Sequence, residues 1–173
     1  MFLLFATSGL ALLPASGSAQ DDAPRTTVIS PEALAELLRQ EGGDNPLRVI
    51  ASPDGQFGVF ILSSEPRPAP EGAVTGGSHS AVGEIYHVVN GTGVFVTGGV
   101  LENPSEVESG SARYTRAGPG ENGTIRDAQL VEYAPGSIFI VPPGVPHNAT
   151  WEVRSRTDFL IYRFDPDNTL PLH

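Results

Sequence analysis

From residue 47 onward, short apolar runs alternate with clusters of glycine, proline and asparagine. The runs are rich in Val, Ile, Phe and Tyr, a composition typical of β-strands. Many short strands separated by turn signals, with almost no helix among them, predict a β-sandwich or a jelly-roll barrel. The predicted strands are LRVIAS, QFGVFILS, EIYHVV, GVFVTGG, AQLVEY, SIFIV, NATWEV and DFLIYRF.

One segment has helical periodicity, SPEALAELLRQEGG at residues 30–43. Ser30 suits the N-cap and Pro31 the first helical position, and a glycine pair ends the segment. We expect the helix to pack on the outside of the main fold through one apolar stripe, formed by Leu34, Leu37 and Leu38.

Two connections stand out between the predicted strands. Asn90-Gly91 separates two apolar runs and is the strongest hairpin signal in the chain, because both residues tolerate positive φ. The stretch 101–127 is polar and glycine-rich and predicts a long loop, either a lid over a barrel mouth or a disordered segment.

The first nineteen residues carry no charged side chain and are mostly apolar. Their apolar part is short for a bilayer span, and Gly17 and Ala19 occupy the −3 and −1 positions of a signal-peptidase site before Gln20. The pattern favours export, to the bacterial periplasm, over a lipid anchor or a buried helix. The predicted organisation is a signal peptide at 1–19, a leader with the helix at 20–46, and a barrel domain at 47–173.

Composition excludes several kinds of chemistry in this chain of 173 residues. The net charge is −10, and all ten basic residues are arginines, so Schiff-base chemistry on a lysine is excluded. An acidic chain without a basic face is a poor partner for nucleic acid or for an anionic membrane surface. The absence of cysteine excludes disulfides, thiolate nucleophiles and cysteine metal ligands.

The candidate chemistry lies in GSHSAVGEIYHVVNG at 77–91 and in GSIFIVPPGVPH at 136–147. His79, Glu84 and His147 supply two imidazoles and one carboxylate, the set that holds Fe(II) and related divalent metals with coordination positions left open. Satisfied core histidines and a polar surface strand are the alternatives. Strand alternation places Glu84 and Tyr86 on one face and His87 on the other, where packing or a dimer interface is expected.

These two stretches resemble the two motifs of the cupin superfamily, G(X)5HXH(X)3–4E(X)6G and G(X)5PXG(X)2H(X)3N. His79 corresponds to the second histidine of the first motif, and Glu84 is followed by six residues and then Gly91. In the second motif the residues in register are Gly136, Pro142, Gly144 and His147. The resemblance implies an all-β cupin-type double-stranded β-helix (jelly-roll barrel) with one N-terminal α-helix, a small-molecule substrate, a divalent metal, and a homodimer. Fe(II) is favoured, with Mn, Ni or Zn as alternatives.

The chain departs from the cupin motifs at two positions. Gly77 replaces the first histidine of the pair, which reduces the usual four-ligand set to three, and Trp151 replaces the final asparagine. The first departure either leaves one more open coordination position or weakens the site until metal is optional.

The functional prediction is a metal-dependent cupin enzyme acting on a small organic substrate, either dioxygenase-like or lyase/isomerase-like. Tyr86 and Glu84 are the candidate catalytic residues, with Tyr86 as acid/base or occasional ligand, although a barrel-lining aromatic is the alternative for Tyr86. The alternative function is a non-catalytic cupin that binds a small ligand such as a sugar or aromatic acid. The arginines of 101–127 either attract an anionic substrate or are solvated surface charge: Arg113, Arg116 and Arg126.

Overall fold

The computed structural model describes residues 26–39 and 43–170. The predicted helix is confirmed as α1, Pro31–Arg39, and the Ser30 hydroxyl caps it by accepting the Ala33 N–H at 3.2 Å. No residue of α1 is buried, and its leucine stripe is half-buried, so the helix lies on the outside of the fold. The described helices include none long and apolar enough to cross a bilayer. The predicted signal peptide at 1–19 and His173 lie outside the described residues.

The described residues form two curled antiparallel sheets, which confirms the predicted jelly-roll barrel. The first sheet has the order β1-β2-β11-β4-β9 and the second β6-β7-β3-β10-β5-β8. The strands are β1 Gly43–Ser52, β2 Gly55–Ser64, β3 Thr75–His79, β4 Gly83–Asn90, β5 Gly93–Thr97, β6 Val100–Glu106, β7 Gly120–Arg126, β8 Gln129–Tyr133, β9 Ile138–Val141, β10 His147–Val153 and β11 Thr157–Asp165.

The inward faces of β4 and β11 change from apolar to charged along their length. The register pairs Val88 with Phe159 in the hydrophobic core, and two residues earlier in β4 it pairs Tyr86 with Ile161. The next inward pair is Glu84 and Arg163. Because inward side chains follow one another at every second residue, the core and a buried ionic site are continuous along the same two strands.

The Asn90-Gly91 turn does not close a hairpin, so that prediction was wrong. The strands on either side belong to different sheets, since β4 pairs with β9 and β11 whereas β5 pairs with β8 and β10. Gly91 has the expected positive φ of 87°. The Asn90 side chain donates to Asp158 Oδ2 at 2.6 Å and its Oδ1 accepts the Asp158 N–H at 3.2 Å. These contacts with β11 stabilise a corner between the sheets in place of a two-stranded turn.

The stretch 101–127 is not a long loop, which corrects a second prediction. It contains most of β6, a second short helix α2 at Ala112–Ala117, and β7, which pairs with β3 and β6. The side chains of β6 are mostly exposed. The polar composition that predicted a loop therefore reflects an outer strand whose side chains face solvent.

We expect Gly91→Ala to destabilise the fold far more than Gly72→Ala. Both glycines have positive φ, which costs about 1–2 kcal/mol for any other residue. A Cβ at Gly91 would also lie 2.5 Å from the Arg156 carbonyl oxygen, whereas a Cβ at Gly72 meets nothing within 4 Å. This crowding should lower the free energy of unfolding by about 1–3 kcal/mol beyond the control, measured by chemical denaturation. Equal losses in the two variants would contradict the close packing of this corner.

Candidate metal centre

The three predicted ligands come from three strands in two sheets. His79 ends β3 and His147 begins β10 in the six-stranded sheet, while Glu84 faces them from β4 in the other sheet. The Gly144 N–H donates to the His79 carbonyl at 2.7 Å, which ties the turn after β9 to the end of β3. This backbone hydrogen bond between residues distant in the sequence therefore helps to bring the two sequence motifs together.

The side chains of His79, Glu84 and His147 converge on one point. Glu84 Oε2 lies 3.0 Å from His147 Nε2 and 3.3 Å from His79 Nε2. The candidate ligand atoms of all three residues lie within 4.8 Å of one another. The side chains are almost inaccessible, with residue exposures of 6% for His79, 1% for Glu84 and 7% for His147. This arrangement is a candidate divalent-metal site.

Tyr86 is the fourth polar group at this point. Its hydroxyl donates to Glu84 Oε2 at 2.8 Å and lies 3.2 Å from His147 Nε2. Burial and the neighbouring Glu84 carboxylate raise the pKa of the Tyr86 phenol well above its usual value. The hydroxyl therefore keeps its proton at neutral pH and acts as a donor. His87 lies on the opposite, half-buried face of β4, as strand alternation predicts.

Sequence reasoning missed the residue that holds the other oxygen of Glu84. Arg163, which is 2% exposed, donates from Nε to Glu84 Oε1 at 2.8 Å. Its remaining nitrogens donate to Asp44 Oδ2 at 2.6 Å and to the Arg116 carbonyl at 2.8 Å. The available signal was an arginine at an inward position of β11, two residues after the buried Ile161, because a buried guanidinium requires a carboxylate partner.

The protonation states of the site suit a metal. Burial opposes ionisation of Glu84, but the pKa of Glu84 is held well below its usual value, with the Arg163 guanidinium as the largest of the opposing effects. Burial lowers the pKa of His79 despite the opposing effect of Glu84. An ionised carboxylate and a neutral imidazole are the forms that bind divalent cations.

Hydrogen bonding around His147 provides a test of whether a cation fits. His147 Nδ1 lies 3.0 Å from the Val145 carbonyl, which can only accept, so Nδ1 carries a proton. In the neutral ring, Nε2 then directs a lone pair at Glu84 Oε2, and the Tyr86 proton is shared between these two acceptors. His79 Nδ1 is buried without a hydrogen-bond partner among the described residues. A cation at this point would be a common partner for the imidazole Nε2 atoms and Glu84 Oε2, so the donor set fits a bound divalent cation.

A cavity of about 640 Å³ opens onto the site. Its wall includes His79, Tyr86, His147 and Arg163, together with residues of β6, α2 and β7 from the stretch that was predicted as a loop.

The three arginines of 101–127 have different environments. Arg113 lines the cavity. The Arg116 side chain is not part of the wall, although its carbonyl accepts from Arg163. Arg126 is exposed and pairs with Glu102 and Asp127, as expected of surface charge.

No family model and no curated protein matches this chain. Solved structures with a similar fold include a protein from Bacillus halodurans, at 18% identity and a TM-score of 0.49, covering 88% of this chain and 87% of that one. A Klebsiella pneumoniae protein with a double-stranded β-helix domain matches at 17% identity and a TM-score of 0.43, covering 84% and 94%. A Cupin 2 conserved barrel domain protein from Salinispora arenicola matches at 16% identity and a TM-score of 0.38, covering 81% and 89%. Similarity at this level concerns the fold alone.

We expect Arg163→Met to lower the free energy of unfolding at pH 7 by about 3–5 kcal/mol, because it leaves two buried or half-buried carboxylates, Glu84 and Asp44, without their partner. Arg126→Met is the matched control. Its ion pair with Glu102 joins side chains that are 55% and 44% exposed, so its removal should cost at most about 1 kcal/mol. Denaturant titrations of both variants measure the difference.

The same variant has a predictable pH dependence. Since the pKa of Glu84 is depressed in the folded protein, its contribution to stability is present above the ordinary glutamate pKa of 4.5 and is lost as pH falls through the folded pKa. Without Arg163, burial favours the protonated acid, so the deficit of Arg163→Met should shrink as pH is lowered toward 4 or below. A deficit that stays constant or grows would contradict the assigned Glu84–Arg163 pair.

Proposed function

We propose that this chain is a metal-dependent enzyme of the cupin type that acts on a small organic molecule in the cavity. The supporting observation is the convergence of His79, Glu84 and His147 at one buried point beside the cavity. His79 and His147 would hold the metal through imidazole nitrogen and Glu84 through Oε2. Such a set suits Fe(II), with Mn, Ni or Zn as alternatives.

A bound metal supplies Lewis acidity and open positions for substrate. The chain itself contributes the proton of Tyr86, which is placed to donate to an oxygen that develops negative charge near His147. Arg163 keeps Glu84 ionised and fixes its orientation through Oε1. The closed aromatic packing beneath the site, where the Tyr86 ring contacts Phe95 and Phe159, excludes water from that side.

The charge pairs of the cavity support oxidoreductase chemistry of the dioxygenase type over a lyase that needs a side-chain base. Each described carboxylate at the cavity is already paired: Asp44 and Glu84 with Arg163, and Glu102 with Arg126. The raised pKa of Tyr86 keeps its phenol protonated at neutral pH, so the resting side chain can donate a proton but not accept one. Proton abstraction by the chain therefore has no ready acceptor among the described residues.

A non-catalytic binding protein is the second candidate, and one observation favours it. The cavity wall carries hydroxyl and amide groups suited to a sugar or a related polar molecule, among them Thr75, Ser105, Thr124, Asn148 and Thr150. Such a protein would bind its ligand without needing the two histidines.

We expect the wild-type protein, purified anaerobically, to contain about one divalent metal per chain. His79→Ala and His147→Ala should each reduce the metal content to a small fraction, because each removes one of only three protein ligands. Elemental analysis measures the content and identifies the metal.

His87→Ala is the matched control, since His87 lies on β4 with its side chain directed away from the site. It should retain the full metal content. Wild-type protein without stoichiometric metal, combined with ligand binding that survives both ligand substitutions, would contradict the enzyme and support the binding protein. Export to a bacterial periplasm and homodimer formation stay predictions from the sequence.

A further inference from the structure

Arg113 occupies the place that Gly77 leaves open. A Cβ atom built on Gly77 would lie 2.4 Å and 2.6 Å from the two terminal guanidinium nitrogens of Arg113. It would also lie 2.5 Å from the Glu121 carbonyl oxygen of the neighbouring strand β7. A histidine at position 77 and Arg113 in its present position are therefore mutually exclusive. Gly77 is also the register partner of His147, so the guanidinium sits beside the metal site.

The Arg113 guanidinium has no acidic partner among the described residues. Its hydrogen-bond acceptors are neutral, namely Asn122 Oδ1 and, at 3.5 Å, the Ser78 carbonyl. Arg163, the other arginine of the cavity wall, is paired with two carboxylates. A half-buried guanidinium without a counterion is costly to keep desolvated unless an anion completes it.

We propose that Arg113 is the anion-binding residue of the cavity and anchors the carboxylate of a small, hydroxylated organic acid beside the metal site. This proposal rests on the proposed function for the position of the acid near a metal, but not for the existence of the anion site. Gly77 provides no fourth metal ligand, but the space beside it holds the Arg113 guanidinium, which would recognise the substrate.

The charge of the site favours a monocarboxylate over a phosphate. Arg163 is held by two carboxylates, so among the cavity-lining arginines described only Arg113 has no ion pair and can pair directly with an added anion, and a singly charged anion disturbs the charge balance less than a phosphate dianion. The planar guanidinium matches the two oxygens of a carboxylate. Both ligands share oxyanion chemistry, and the experiment below distinguishes them.

The rest of the wall supports a hydroxylated acid. Near Arg113 the wall is built from hydroxyl and amide side chains of β3, β6, β7 and β10 rather than from large apolar groups, namely Thr75, Ser105, Asn122, Thr124, Asn148 and Thr150. The pairing of β6 with β7 shifts register between Glu102 and Ser105, where Asn103 has φ of 47°, and all three of these residues line the cavity. Such a surface offers hydrogen bonds to several hydroxyl groups.

The test is a binding titration of the full chain loaded with Co²⁺, using lactate and gluconate as acids, glucose as the uncharged counterpart of gluconate, and inorganic phosphate. Calorimetry gives Kd, and the visible absorption of Co²⁺ reports whether the acid reaches the metal. Arg113→Gln removes the charge at similar size. Arg116→Gln is the matched control, because Arg116 lies one turn further along α2 and its side chain is not part of the cavity wall.

We expect Arg113→Gln to bind Co²⁺ as the wild type does but to raise the Kd of at least one of the two acids about tenfold or more, as for loss of a charge-assisted hydrogen bond. Arg116→Gln should leave that Kd unchanged, glucose should be insensitive to Arg113→Gln, and phosphate should bind wild type more weakly than the acid does. Any one of four outcomes would overturn the proposal. The wild type could fail to bind both acids, or it could bind phosphate more tightly than the acid. Arg113→Gln could bind the acid with the Kd of the wild type, or it could lose Co²⁺.

A parallel titration of the metal-free protein separates this proposal from the proposed function. If the wild type does not bind Co²⁺ but still binds the acid through Arg113, the enzyme proposal fails and the anion site stands. If the wild type binds Co²⁺ but binding of the acid does not depend on Arg113, the anion-site proposal fails and the enzyme proposal stands.

Discussion

The ionised carboxylate of Glu84 is the constraint on which the rest of the structure depends. An unpaired charge at this depth would cost several kcal/mol, so both of its oxygens must be occupied. Arg163 takes one oxygen and itself requires Asp44 and the Arg116 carbonyl, which ties β1 and α2 to β11. The imidazoles of the opposite sheet face the other oxygen. One buried charge thus connects both sheets and the short helix.

The Glu84–Arg163 pair also limits what the site can do. Because Oε1 is held by Arg163, Glu84 offers one oxygen rather than two. Two imidazole nitrogens and one oxygen make a three-atom donor set, and Gly77 adds no further ligand. An octahedral divalent cation held by three protein atoms keeps about half of its coordination sphere for other molecules. The position of Arg163 and the absence of a histidine at 77 therefore act in the same direction, toward an open site.

Local patterns in the sequence were sufficient to identify the three candidate ligands that the fold brings together, but not the residues that hold them in place. Motif spacing and strand alternation identify His79 and Glu84, because both operate over a few residues. The partner of Glu84 lies 79 residues away, at Arg163, and only the strand register brings the two together. Asn90-Gly91 shows the same limit. The positive φ of Gly91 was predictable from residue type. The strands on either side of the turn are assigned to different sheets by contacts with β11, which residue type does not reveal.

The balance of charge inside the barrel differs from that of the whole protein, which is strongly acidic at −10. At the buried end of the cavity the acids Glu84 and Asp44 are matched in number by Arg163 and Arg113, while the third carboxylate of the cavity, Glu102, is paired with the exposed Arg126. A divalent cation added to this neutral set would make the interior positive while the exterior stays negative. Anions would then be repelled at long range and attracted only within the cavity, where screening is weakest. If the proposed metal and anion sites are occupied, such a field would favour small acids that can enter fully, because a larger acid would leave part of its charge against an acidic surface.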